Sequence, residues 1–116
     1  EWELKILGYY PDKSLFDKYI GNTKNISVHS AVMPSEMPIQ MQQCAIFVLP
    51  SRTDALARVL IESMAAGKAR IGSNVDGTPQ LIRDGIDGLL FKSGDIEELA
   101  LKMDLLMGDK KLRKKI

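Results

Sequence analysis

The stretch that decides the fold is residues 49–67, LPSRTDALARVLIESMAAG. It starts at the end of an apolar run, 45–49, crosses a polar loop, 50–54, and enters a helical pattern that Gly67 stops. A strand, a loop at its carboxyl end and a helix rising from that loop make the first half of a βαβ unit. In an open parallel sheet this is where ligands sit, because the helix start offers unpaired N–H groups and a positive dipole end to an anion.

Working outward towards the amino terminus, the apolar run 4–7 ending at Gly8 predicts a short parallel strand. Leu15, Phe16, Tyr19 and Ile20 predict a helix over 11–20 that Gly21-Asn22 stops, and 26–29 a second strand. A loop then leads to a helix starting near Glu36, with Ser35 as its cap and Pro38 in its first turn, where a missing N–H costs no hydrogen bond. The run 45–49 is the most apolar of all and is expected at the centre of the sheet.

Towards the carboxyl terminus, 69–72 predicts another strand and Asp76-Gly77 a turn. Thr78 as cap and Pro79 at the first position open a helix running to about Arg83. Asp84-Gly85 and Asp87-Gly88 are turn dipeptides, and 89–91 is a strand. Asp95 followed by Glu98 has the capping-box spacing, and Leu99, Met103, Leu106 and Met107 continue one helical face until Gly108. Short strands alternating with helices mean a Rossmann-like three-layer α/β/α fold with a parallel sheet.

Composition narrows the partners. The 116 residues suffice for one core, and a net charge of +1 argues against nucleic acid. Lys110, Lys111, Arg113, Lys114 and Lys115 form a basic end that reads as a solvated helix, with peripheral contact to an anionic membrane as the alternative. No apolar run approaches the roughly 20 residues of a membrane span. A single cysteine, Cys44, leaves no internal disulfide, so a reducing, cytoplasmic setting is the default, and Cys44 itself reads as a buried small hydrophobe. The chain opens within an expected strand and without an initiator Met, which suggests a fragment.

No Gly-x-Gly-x-x-Gly, Walker-type loop or metal-ligand spacing is present, so neither a nicotinamide or flavin dinucleotide nor a metal is expected. Asp54 and Glu62 stand eight residues apart, about 12 Å along a helix. Carboxylates at that separation can accept hydrogen bonds from hydroxyls at the two ends of a nucleotide-diphosphate sugar, with the amides near residues 55–57 facing the phosphates. The plainer alternative has Asp54 capping the helix and pairing with Arg58, and Glu62 in solvent. Lys68 and Arg70 fall at the far end of the helix and the start of the next strand, away from the ligand edge. His29 reads as a loop histidine with a local hydrogen bond, and Met33, Met37, Met41, Met64, Met103 and Met107 as core filling.

The ordered set Pro50-Ser51, Glu62, Met64-Ala65-Ala66-Gly67, Gly77-Thr78-Pro79, Asp84-Gly85 and Gly88 resembles the donor-binding half of GT-B glycosyltransferases, specifically the retaining group known as glycosyltransferase family 4. The resemblance implies that residues 1–116 are the C-terminal, nucleotide-sugar-binding domain of a longer protein, lacking that domain's first strand and the N-terminal acceptor domain. It implies transfer of a hexosyl group from a nucleotide-diphosphate sugar, UDP- or GDP-linked, to a glycan or lipid-linked acceptor hydroxyl, without a metal. It places Glu62 on the ribose and Asp54 at the transferred sugar. Ala55, Leu56, Ala57 and Arg58 fall on the sugar and diphosphate, and Val32 and Met33 lie in the loop that holds the base. The family's cationic groups lie in the absent strand, so the fragment alone is expected to be inactive. Ala55-Leu56-Ala57 stands where the family has Gly-Phe-Gly, Asp54 where it has Glu, and Gln80 where Glu is common. These departures motivate a second reading, a non-catalytic scaffold of the same fold; a sugar-nucleotide epimerase is a third.

Overall fold

The computed structural model describes residues 2–8, 18, 20–21, 23–30, 32–52 and 58–116. They form two compact units, residues 1–37 and 38–116.

In the first unit β1 (Leu4–Gly8) and β2 (Ile26–Ser30) pair in parallel, Leu4 opposite Ile26 and Gly8 opposite Ser30. The expected helix over 11–20 lies almost wholly outside the described residues; Lys18 and Ile20 are helical, and Gly21 follows at φ 53°. After β2 the chain makes a 3₁₀ turn, Pro34–Glu36, with Met33 at its N-cap. Ser35 is therefore not a cap. Pro34, with its φ already fixed, starts the turn ahead of it, and the turn runs directly into α1 (Met37–Gln43).

The second unit is a parallel sheet, β3 (Ile46–Leu49), β4 (Ala69–Ser73) and β5 (Leu89–Phe91), in the order β3-β4-β5. The sequence expectation of a central β3 is corrected within this sheet: β4 lies between the other two, and all five of its residues are buried. Flanking strands on both sides and helices on both faces leave β4 no open surface.

Alternation along the strands builds the layers. Ala69, Ile71, Leu89 and Phe91 share one face with Leu106 and Ile116, covered by α4 (Ile96–Gly108) and α5 (Lys110–Lys115). Phe47, Leu49 and Leu90 point to the opposite face and pack with Leu60 of α2 (Arg58–Ala65) and with Leu81 and Ile82 at the end of α3 (Thr78–Leu81). The unit is thus three-layered, helices on each side of a parallel sheet, as its sequence predicts.

Gly67, at φ 71°, turns the chain out of α2 and into β4. Gly72 is required for another reason: a Cβ there would stand 2.7 Å from Thr78 Cγ2 and 3.1 Å from Ile82 Cδ1. That packing also overturns the expected cap at Thr78. Gly77 occupies the N-cap, Thr78 is the first helical residue, and its methyl turns into the core against Gly72, so its hydroxyl is buried instead of capping. α3 stops at Leu81, short of the expected Arg83, because Ile82 is extended and the Asp87 carboxylate takes the Arg83 N–H at 2.6 Å. The Asp95 cap is as expected, accepting from Glu98 N at 3.0 Å, while Glu98 Oε2 reaches back to Lys92 N.

Candidate functional site

Register sets the rim. Leu49 lies opposite Gly72 and Ser73 opposite Phe91, so residues 50–52, 74–77 and 92–95 all leave the parallel sheet at its carboxyl edge. α2 then runs back from that edge, since its far end feeds the first residue of β4 through Gly67 and Lys68. Arg58 opens the helix and is exposed, and Glu62 follows one turn on, about 6 Å along the axis. Glu62 is half-buried, beside the buried stripe of Leu60 and Ser63.

No ion pair joins Arg58 and Glu62; among the described residues the ion pair formed is Arg83–Asp87 at 2.8 Å. Glu62 makes no side-chain hydrogen bond within that set either. Asp54, Ala55, Leu56 and Ala57, expected at the sugar and diphosphate, lie outside the described residues. Val32 and Met33 belong to the first unit, where Val32 is half-buried and Met33 is 65% exposed. That exposure, with that of Met64, corrects the reading of these two methionines as core: Met33 sits in a loop, and Met64 falls with Ile61 on the side of α2 away from Leu60. Met41, buried, and Met103, packed on the first core face, do fill the interior.

The other candidates have local partners. His29 bonds Ser27 Oγ at 3.0 Å, and Lys68 donates to the Gln42 carbonyl at 3.1 Å. Cys44 donates to the Met41 carbonyl, and burial pushes its thiol above the ordinary range, the opposite of an activated nucleophile. Arg70 is buried, donates to the Asp87 carbonyl and has no partner for Nε among the described residues; burial lowers its pKa and the nearby Asp87 charge opposes that shift.

Two residues on the rim, Ser73 and Arg52, escaped the sequence reading, and a third, Thr78, reads there as a cap. Ser73, the last residue of β4 and fully buried, donates from Oγ to the Ser51 carbonyl at 2.5 Å. Arg52 lies against Gly94, its Nη1 3.7 Å from where a Cβ on that glycine would stand. Thr78 Oγ1 is buried without a partner among the described residues. The available signal was Ser73 itself, a hydroxyl closing β4 at the sheet's carboxyl edge.

The family profile described as Glycosyl transferases group 1 matches residues 1–116. The chain is 36% identical over 87 residues to an N,N'-diacetylbacillosaminyl-diphospho-undecaprenol alpha-1,3-N-acetylgalactosaminyltransferase of Campylobacter jejuni, covering 75% of this chain and 23% of that protein. It is 34% identical over 117 residues to an exopolysaccharide phosphotransferase of Streptomyces coelicolor, covering 96% of this chain and 12% of that one. It thus spans a quarter or less of these curated relatives. The structure of Anabaena HepE in complex with UDP superposes with a TM-score of 0.86 at 20% identity, over 98% of this chain and 33% of HepE; a HepE complex with UDP-glucose gives 0.85. The fold is that of a GT-B glycosyltransferase domain, and the chain belongs to the glycosyl transferases group 1 family.

Proposed function

We propose that residues 1–116 are the C-terminal, donor-binding domain of a retaining glycosyltransferase that moves a hexosyl group from a nucleotide-diphosphate sugar to an acceptor hydroxyl. The observation that carries this is the Glu62 carboxylate, half-buried one turn below the rim and uncommitted to any partner among the described residues. A carboxylate so placed can accept both hydroxyls of a ribose. HepE, of the same fold, is held with UDP and with UDP-glucose, which supports this ligand class.

In this reading Asp54 faces the transferred sugar, the amides of residues 55–58 the diphosphate, and Val32 and Met33 the base, these roles resting on the family pattern. The acceptor oxygen bonds to the sugar's anomeric carbon as the bond to the diphosphate breaks, on the same face, and the acceptor's proton passes to the departing phosphate oxygen. Cationic side chains and helix N–H groups stabilise that leaving group, without a metal. The acceptor belongs to a domain outside this chain, and a lipid-linked acceptor, as in the name of the Campylobacter relative, agrees with work at the cytoplasmic face of a membrane.

Among the described residues no helix is long and apolar enough to cross a membrane. Lys110, Lys111, Lys114 and Lys115 are all exposed on α5, while Ile116 is buried, so the helix presents a lysine face suited to peripheral contact with anionic lipid. Sedimentation with phosphatidylglycerol vesicles that Lys114→Glu and Lys115→Glu leave unchanged removes that contact.

Titration of the full-length protein with UDP and GDP tests the donor site. Wild type binds one of them and Glu62→Ala weakens it at least tenfold; equal affinity in the two proteins, or no binding by either, sinks the role given to Glu62. Product analysis with the bound donor separates glycosyl transfer from epimerisation and from a scaffold that binds without turnover.

A further inference from the structure

Arg58 and Glu62 stand four residues apart on α2, so their side chains leave the same face of the helix, about 6 Å apart along its axis, with Arg58 nearer the carboxyl rim. Opposite charges at this spacing commonly pair, but the order with the cation first is the weaker one, and these two form no ion pair. Arg58 is exposed and Glu62 half-buried, and neither side chain has a partner among the described residues. Other cations of this unit are directed elsewhere. Lys68 donates to the Gln42 carbonyl and Arg70 to the Asp87 carbonyl, both at the amino end of β4, and Arg52 lies against Gly94 in the loop after β5.

We infer that Arg58 is the phosphate-binding cation of the donor site: with the ribose hydroxyls on Glu62, its guanidinium donates to oxygens of the 5′-phosphate. One helical turn is comparable to the reach from the vicinal hydroxyls of a ribose to its 5′-phosphate, and the planar fork of an arginine matches two phosphate oxygens. Resting on the ribose reading of Glu62, this sets the ligand's direction along α2, with its phosphates towards the rim. The charge that develops in transfer falls on the other phosphate, the one bonded to the sugar, so Arg58 acts on binding and not on departure.

The test is competition titration of the full-length protein with a nucleoside, its 5′-monophosphate and its 5′-diphosphate, carrying whichever of uracil and guanine the wild type binds. Arg58→Gln is expected to weaken the monophosphate and the diphosphate alike, about tenfold, and to leave the nucleoside within about twofold. Arg58→Lys, which keeps the charge and loses the fork, gives a smaller loss, and Arg58→Glu a larger one. Glu62→Ala weakens all three ligands. Lys24→Gln, which removes an exposed charge from the first unit, changes none of them. Wild-type nucleotide affinity in Arg58→Gln, an equal loss for the nucleoside, or nucleotide affinities that do not follow the charge at position 58 overturn the phosphate role and leave Glu62 standing. A phosphate-dependent loss in Arg58→Gln with no loss in Glu62→Ala keeps Arg58 at the phosphate and overturns the ribose reading. No nucleotide binding by the wild type overturns both.

Discussion

At the scale of single residues, Glu62 has no side-chain partner among the described residues. A half-buried carboxylate at the edge of a packed helix face would ordinarily take a neighbour, yet Arg58, one turn away, does not pair with it. In the proposed function Glu62 accepts charge-assisted bonds from two ribose hydroxyls. Glu62→Gln, which keeps an acceptor but removes the charge, should therefore lose less nucleotide affinity than Glu62→Ala. A loss of about 1–2 kcal/mol against 2 or more in calorimetric titration is the expected order, and equal losses would remove the charge from the account. The spacing of Asp54 and Glu62, with the family-like order of motifs, singles this residue out as a candidate in the sequence. Ser73 is not singled out, since nothing in the string ARIGS says that its hydroxyl meets a carbonyl 22 residues earlier.

At the scale of elements, the turn between α3 and β5 is the clearest case of local chemistry shaping a segment. Asp87 Oδ1 accepts Arg83 N at 2.6 Å and its Oδ2 accepts Arg83 Nε at 2.8 Å, while Asp84 Oδ1 accepts Leu90 N at 2.9 Å. The Arg83 backbone N–H above all, helped by the Arg83 side chain and the Arg83 and Arg70 charges, holds the Asp87 carboxyl below its ordinary range against the desolvation that would raise it. A carboxyl depressed in the folded state adds stability above its unfolded pKa of about 3.9, and that stability is lost as pH falls through the lower, folded value. Asp87→Asn is thus expected to cost about 1 kcal/mol near pH 7, the size of a partly exposed charge-assisted bond. Urea melts should show its deficit against wild type shrinking below about pH 4; a deficit constant from pH 7 to 3 would assign the loss to geometry instead. The two Asp-Gly dipeptides announced turns here, but not that their acids would hold Arg83 and Leu90, nor that Arg70 would bury itself against the Asp87 carbonyl.

At the scale of the whole molecule, the second unit carries its own core on both faces of its sheet and its own carboxyl rim. In the proposed function, transfer also asks for an acceptor site and for cations at the departing diphosphate, the largest expected catalytic term, and the reading places both outside residues 1–116. Residues 1–116 expressed alone should therefore show no turnover of the donor that the full-length protein uses. A product assay run on both checks this, and transfer by the short chain would place those groups within it.

The strand–helix alternation, the helix stop at Gly67 and the Asp95 cap follow from the sequence, because propensity, capping and positive φ are decided within a few residues of chain. Membership of a sugar-transferring family was carried the same way, by motifs whose spacing survives in one dimension. Tertiary structure alone decided that β4 and not β3 is enclosed in the three-stranded sheet, that Thr78 packs against Gly72 instead of capping, and that Ser73 holds Ser51. Each of these joins groups brought together by sheet order and close packing, and the free energy of such contacts depends on neighbours that no local stretch of sequence specifies.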